Sequence, residues 1–158
     1  MKNSQAALIW IVNILNSKNI PFQISGGLAA KIYGSPRPLN DIDIDIPDKN
    51  FSDIYDEVKD YLVYGPENYK DEKWDVLEMI LDYQGQEIDI TGADSCKVST
   101  KDETTWLLLS CDFTRVVYKD FFGIKVPVMP KEDLIAYKKE LNGEHQIIDI
   151  EAINKYID

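Results

Sequence analysis

The residues most able to do chemistry in this chain form a run of alternating aspartate and isoleucine at positions 41–46. Successive side chains of a β-strand point to opposite faces, so the spacing predicts that Asp41, Asp43 and Asp45 share one face while the isoleucines enter the core. Three carboxylates in a row disfavour one another's ionised form, and strands generally avoid aspartate. A divalent cation would offset both costs, because Mg²⁺ prefers oxygen ligands. The pattern therefore predicts a metal site, with a solvated strand face as the alternative.

A glycine pair precedes this acidic strand, at Gly26-Gly27, directly after a short predicted strand that ends at Ser25. Glycines between a strand and a helix allow backbone N–H groups to face an anion. We therefore expect Ser25, Gly26 and Gly27 to bind the phosphates of a nucleotide. An ordinary tight turn has the same composition, so the prediction depends on the short distance between the glycines and the acidic strand.

Hydrophobic periodicity and turn residues predict the elements that must position these side chains. Helices are predicted at residues 4–17, 28–33, 51–62, 131–141 and 144–156. Strands are predicted at residues 22–25, 41–46, 74–83 and 87–91, with a further hairpin within 115–128. Ser4 is expected to cap the first helix, and Gly65-Pro66 to lie in a loop. The order of elements predicts the α+β class: a mixed β-sheet with helices packed on it, as a single domain over residues 1–158.

Composition excludes several classes of function. The chain has 158 residues, and its 17 basic and 28 acidic side chains give a net charge of −11. So negative a surface repels a phosphate backbone, which argues against non-specific nucleic-acid binding. Two cysteines and one histidine are too few for a zinc site of the common four-ligand kind, and we expect both thiols to be reduced. With no apolar run of about 20 residues and no secretory signal pattern, we expect a cytoplasmic protein without a membrane span.

A family resemblance joins the glycines to the aspartates. Gly26-Gly27, Gly34, Arg37-Pro38 and Asp41-Ile42-Asp43 resemble the G-G…G…R-x-x-x-D-I-D pattern of small bacterial nucleotidyltransferases of the DNA polymerase β superfamily, of the aminoglycoside and abortive-infection types. The resemblance implies a nucleotidyltransferase-like α+β fold. It also implies a catalytic site for Mg²⁺ (or Mn²⁺).

Within that resemblance, Asp41 and Asp43 correspond to the first two metal-binding carboxylates. A third is expected on a later strand, where Glu87 and Asp89 share one face; we choose Asp89, because it stands at the centre of the alternating pattern. The C-terminal helices of the family bring a lysine to the nucleotide phosphates, which implies Lys138. Arg37 is expected either to hold the phosphates or to anchor its own loop.

The implied reaction is Mg²⁺-dependent transfer of a nucleoside monophosphate from a nucleoside triphosphate to an unidentified hydroxyl of a small molecule or a protein. AMP is the expected nucleotide. Asp41, Asp43 and Asp89 would hold two metal ions, and Asp89 would orient or deprotonate the attacking hydroxyl. Two alternatives stay open: a catalytically inactive nucleotide-binding or regulatory domain of the same fold, and an acidic module that docks a basic protein without metal. The sequence leaves the acceptor, the nucleotide, the oligomeric state and the roles of Glu87 and Asp45 open.

Overall fold

The computed structural model of the chain describes residues 2–109 and 111–158. Its α-helices are α1 (Ser4–Ser17), α2 (Gly26–Ile32), α3 (Phe51–Val58), α4 (Lys131–Lys138) and α5 (Glu144–Lys155). Its strands are β1 (Gln23–Ile24), β2 (Asp41–Ile46), β3 (Leu62–Lys70), β4 (Trp74–Tyr83), β5 (Gln86–Gly92), β6 (Lys97–Ser99), β7 (Trp106–Leu108), β8 (Val117–Phe121) and β9 (Ile124–Val128). The strands form one mixed sheet in the order β7-β6-β4-β5-β2-β1-β9-β8, and β3 pairs with β4. The predicted α+β class is confirmed.

The acidic strand β2 lies inside this sheet, antiparallel to β1 and parallel to β5. Ile42, Ile44 and Ile46 are fully buried, whereas the aspartates between them are partly exposed. Burial of each isoleucine side chain stabilises the fold by about 2 kcal/mol. The predicted alternation is confirmed, and the apolar face of β2 holds the acidic face in place.

Helix α1 covers the same core, to which it contributes Leu8, Ile11 and Leu15 at helical spacing. It spans the predicted residues, but the prediction of its cap was wrong. The side chain of Asn3 accepts a hydrogen bond from the N–H of Ala6 at 2.9 Å, and Ser4 is the first helical residue. Asparagine and serine are comparable N-caps, so the sequence alone does not distinguish Asn3 from Ser4 as the capping residue.

The prediction of a loop at Gly65-Pro66 was also wrong, because both residues belong to β3. The pairing of β3 with β4 is irregular between Tyr64 and Glu67. Proline lacks an N–H group, and an irregular stretch of ladder tolerates that loss. The strand begins where the sequence predicted the end of a helix: α3 ends at Val58, and a 3₁₀ turn leads into Leu62.

Candidate active site

The acidic site forms where β2 and β5 run side by side in parallel. Their register places Asp41 opposite Glu87 and Asp43 opposite Asp89. All four side chains project from the sheet face opposite the buried isoleucines, because each pair lies at an alternating position of its strand. We call these four residues the acidic wall. The acidic residues that the sequence singled out on two strands therefore lie on adjacent, in-register strands.

Three residues of the acidic wall come close enough to share a cation. One carboxylate oxygen each of Asp41, Glu87 and Asp89 lies within 4.8 Å of the others. The Oδ1 atom of Asp89 is buried and has no hydrogen-bond partner among the described residues. A buried oxygen without a donor is costly, and a cation would remove that cost. The donor set, oxygen only, suits Mg²⁺ or Mn²⁺.

Asp43, the other predicted ligand, is held against the glycine turn. Its Oδ2 atom accepts a hydrogen bond from the N–H of Gly27 at 3.0 Å. Gly26 has a positive φ of 56°, and a Cβ atom there would lie 2.0 Å from Asp43 Oδ2. A side chain at this position would therefore be strained and would displace the carboxylate. Glycine is required at position 26 because Asp43 packs on its backbone.

The crowding of carboxylates changes their protonation. Burial, reinforced by the charges of Asp41 and Glu87, raises the pKa of Asp89 to about 7. Burial and the charges of Asp41 and Asp89 also raise the pKa of Asp43 well above its ordinary value, although the hydrogen bond from Gly27 acts in the opposite direction. Like charges in a poorly solvated site disfavour ionisation, and a bound cation would reverse that effect.

Asp45, whose role the sequence left open, is engaged by protein groups. Its Oδ2 accepts a hydrogen bond from Gln23 Nε2 at 2.8 Å, and its Oδ1 accepts one from Ser25 Oγ at 3.1 Å. Burial raises the pKa of Asp45 to about 6, and these two hydrogen bonds limit the rise. The Asp45 carboxylate is therefore held by hydrogen bonds from Gln23 of β1 and from Ser25, the predicted phosphate-binding residue.

The amides of the glycine turn also have partners. The N–H of Gly26 donates to the Tyr137 hydroxyl at 2.9 Å, and the N–H of Gly27 faces the Asp43 carboxylate. Tyr137 belongs to α4, is almost fully buried, and packs edge-on against Trp74 at a ring separation of 6.2 Å. The sequence prediction missed Tyr137, because no local pattern relates α4 to the glycines.

The two predicted basic residues meet at one buried carboxylate. Arg37 Nη1 lies 2.6 Å from Asp149 Oδ2, and Lys138 Nζ lies 3.0 Å from the same oxygen. Asp149 is fully buried in α5, and the Lys138 side chain is only 4% exposed. We call these three residues the basic corner. Asp149 was not predicted; its one sequence signal is that isoleucines flank it on both sides in the last helix.

All eight predicted site residues border a single cleft of about 590 Å³. They are Ser25, Gly26, Gly27, Arg37, Asp41, Asp43, Asp89 and Lys138. The cleft also has an apolar side, to which Trp74, Leu108 and Leu141 contribute. Its volume lies within the roughly 300 to 1,000 Å³ typical of small-molecule sites. Acidic, basic and apolar groups therefore face one space large enough for a nucleotide-sized ligand.

Comparison with known proteins identifies the fold. No protein-family model matches the sequence, and no curated protein matches it either. Among solved structures, the chain resembles TM1012 from Thermotoga maritima, provisionally described as a nucleotidyltransferase, with 20% identity and a TM-score of 0.69 over 95% of this chain and 89% of that one.

Two antibiotic-modifying enzymes have similar structures. The lincosamide antibiotic adenylyltransferase LnuA, solved with lincomycin, has 13% identity and a TM-score of 0.63 over 98% of both chains. ANT(2″)-Ia, solved with adenylyl-2″-tobramycin, has 15% identity and a TM-score of 0.61 over 96% of this chain and 88% of that one. The chain thus has a nucleotidyltransferase-like fold, as its sequence pattern implied. No helix among the described residues is long and apolar enough to span a membrane.

Proposed function

We propose that this protein is a nucleotidyltransferase that moves AMP from ATP to a hydroxyl group of a small molecule. One observation carries the proposal: the unpartnered Oδ1 of Asp89 lies in a cluster of carboxylates that faces the same cleft as Arg37 and Lys138. A nucleoside triphosphate with its cation needs both kinds of surface, oxygen ligands for the metal and positive charge for the phosphates.

Asp41, Asp43 and Asp89 are the proposed metal-binding residues, and Glu87 joins them because it shares the cluster of oxygens. When bound, Mg²⁺ or Mn²⁺ would neutralise charge on the phosphates and make the acceptor hydroxyl more acidic. Asp43 needs its glycine contact to keep its position in this set. The acids are thus arranged by β2, β5 and the turn before α2.

In the proposed reaction, the acceptor oxygen forms a bond to the α-phosphorus of ATP, the bond between that phosphorus and the β-phosphate bridging oxygen breaks, and pyrophosphate leaves. Asp89, which lies in this cluster of acids, takes the proton of the acceptor hydroxyl as the general base.

The basic residues of the cleft would receive the phosphates. Arg37 and Lys138 supply the positive charge, and Ser25, Gly26 and Gly27, whose turn lies against Asp43, line the same cleft. The adenine preference is supported by two structural neighbours: one is an adenylyltransferase, and the other was solved with an adenylylated antibiotic. A small-molecule acceptor is supported by the cleft volume and by the antibiotics bound to those neighbours.

Calorimetric titration with Mn²⁺ and α,β-methylene-ATP, an analogue that cannot transfer AMP, tests the site directly. The wild type should bind the analogue only when metal is present. Asp41→Asn and Asp43→Asn should each abolish that binding and leave the melting temperature unchanged or raised, because like-charge repulsion is relieved. Asp120→Asn, a carboxylate whose side chain is 80% exposed, is the control for loss of one negative charge.

The outcome separates the proposal from its rivals. Metal-dependent binding together with release of pyrophosphate from ATP in the presence of hydroxyl compounds supports the enzyme. Nucleotide binding without any turnover would instead indicate a binding or regulatory domain. Absence of both metal and nucleotide binding, or unaltered affinity in both aspartate variants, would refute the assignment and leave protein docking as the better explanation.

A further inference from the structure

The carboxylate of Asp149 joins three parts of the chain that are distant in sequence. Beyond the contacts of Arg37 and Lys138 with its Oδ2, its Oδ1 accepts a hydrogen bond from Ser35 Oγ at 2.7 Å. Ser35 and Arg37 lie between α2 and β2, Lys138 ends α4, and Asp149 lies in α5. The two buried carboxylate oxygens of Asp149 therefore hold the loop between α2 and β2 in a fixed position relative to α4 and α5.

The charges of the basic corner do not cancel. A fully buried carboxylate is tolerated only when it is paired, and Asp149 has two cations where one would suffice. Two positive charges and one negative charge leave one net positive charge beside the cleft. Because Lys138 also pairs with Asp149, the single negative charge of Asp149 does not cancel the positive charge of Arg37.

The two cations differ in access to the cleft. The Arg37 side chain is 23% exposed, whereas that of Lys138 is 4% exposed and also donates to Gln146 Oε1 at 3.2 Å. A guanidinium group carries five N–H donors in a rigid fork, so the bond of Arg37 Nη1 to Asp149 leaves further donors for a ligand. A guanidinium held at one end can present the rest of the fork in a single orientation.

We propose that Asp149 is a positioning residue for the nucleotide: it holds the guanidinium of Arg37 at the cleft in the orientation that meets a phosphate, while Lys138 maintains the positive charge. This inference rests on the proposed function. Asp149 itself is fully buried and acts through Arg37. The alternative is that the cluster only ties the helices together and has no effect on ligand binding.

Whether Asp149→Asn strengthens or weakens nucleotide binding distinguishes a positioning role of Asp149 from a simple effect of its charge. Asp149→Asn removes a negative charge near the cleft, which by electrostatics alone would strengthen the binding of a phosphate. Loss of positioning would weaken it. We expect the second effect to prevail, with binding of metal and α,β-methylene-ATP weakened by about tenfold.

Asp133 provides a matched control, because it also borders the cleft but pairs with the other arginine of the chain. Arg115 Nη1 lies 3.0 Å from Asp133 Oδ2, and the Asp133 side chain is 40% exposed. Asp133→Asn makes the same change of charge without touching the basic corner. Its affinity for the analogue should stay within about twofold of the wild type.

Nuclear magnetic resonance of ¹⁵N-arginine-labelled protein measures positioning without any nucleotide. The chain contains two arginines, Arg37 and Arg115, so each can be followed separately. Asp149→Asn should make the Nε–H of Arg37 mobile and rapidly exchanging while Arg115 is unchanged. Asp133→Asn should affect Arg115 alone.

The outcomes separate this inference from the proposed function. Mobile Arg37 together with weakened binding supports positioning. An immobile Arg37 in Asp149→Asn, or a mobile Arg37 with unchanged or tighter binding, overturns it while leaving the proposed function intact. If the wild type binds no nucleotide, the proposed function fails and positioning fails with it.

Should Asp149→Asn not fold, Ser35→Ala provides a milder test, because it removes one hydrogen bond to Asp149. It is expected to make Arg37 more mobile and to weaken binding of the analogue, both by a smaller amount.

Discussion

The acidic wall and the basic corner face one cleft but balance their charges in opposite ways. In the basic corner, the buried Asp149 carboxylate is satisfied by cations and a hydroxyl of the protein itself. In the acidic wall, Asp89 keeps a buried oxygen without a described partner, and burial, reinforced by the charges of neighbouring carboxylates, raises the pKa values of Asp43 and Asp89. The basic corner is thus organised by groups of the protein itself, whereas the acidic wall leaves an oxygen that the proposed cation would bind.

The strongest test of this contrast removes ligands from the acidic wall. Asp89→Asn should weaken Mn²⁺ binding by more than about 100-fold, since even groups that only support a metal ligand contribute 10- to 100-fold. Glu87→Gln should have a smaller effect, because Glu87 is exposed and its carboxylate is better solvated. Calorimetry or electron paramagnetic resonance of bound Mn²⁺ measures both. Equal affinity in Asp89→Asn and the wild type would show that the unpartnered oxygen is not a ligand.

A second test disturbs the glycine turn on which Asp43 of the acidic wall packs. Gly26→Ala should destabilise the fold by about 2 to 4 kcal/mol, combining backbone strain with displacement of Asp43. Gly123→Ala is the matched control, because Gly123 also has a positive φ, of 80°, but a Cβ atom there would meet nothing within 4 Å. It should cost about 1 kcal/mol. Urea unfolding compares the two, and similar losses would mean that the packing of Asp43 on Gly26 contributes little.

The pH dependence of stability sharpens the comparison on the acidic side. The pKa of Asp89 is about 7 in the folded protein and about 4 in an unfolded chain. Between about pH 4 and about pH 7, Asp89 is protonated in the folded state and ionised in the unfolded state. Its contribution to the free energy of unfolding is therefore most favourable below about pH 4 and is progressively lost as the pH rises to about 7.

Asparagine resembles the neutral carboxyl, so the melting temperature of metal-free Asp89→Asn should exceed that of the wild type increasingly from about pH 5 to about pH 8. Mn²⁺ should stabilise the wild type more at the higher pH, because the metal binds the ionised carboxylates. Differential scanning calorimetry with and without Mn²⁺ provides the measurement. A pH-independent difference between the two proteins would contradict the raised pKa.

The smallest expected effect concerns the hydroxyl that joins α4 to the glycine turn. Tyr137→Phe leaves the N–H of Gly26 without its acceptor and should cost about 1 kcal/mol. Tyr33→Phe is the matched control, since Tyr33 is equally buried and donates to the carbonyl of Met129 at 2.8 Å. Only Tyr137→Phe should also weaken binding of the nucleotide analogue, by a few-fold. Equal affinities in the two variants would confine Tyr137 to a structural role.

Much of the fold could be predicted from local pattern. The alternation in β2, the bounds of α1 and the hairpin of β4 and β5 follow from side-chain period and turn residues, which act within a few positions of the chain. The short strands β6 and β7, of three residues each, were not predicted because so few residues show no period. Gly65-Pro66 was misassigned because the same residues serve a turn and an irregular strand.

The sequence by itself determined which residues could take part: the aspartates of β2, the glycine pair, and the two carboxylates Glu87 and Asp89 on a later strand. Only the tertiary structure decided how they combine. The parallel register of β2 and β5 brings Glu87 beside Asp41, and the packing of α5 brings Asp149 to Arg37. The physical reason is that side-chain period is a property of neighbouring residues, whereas strand register and helix packing depend on burying the apolar surface of the whole chain at once.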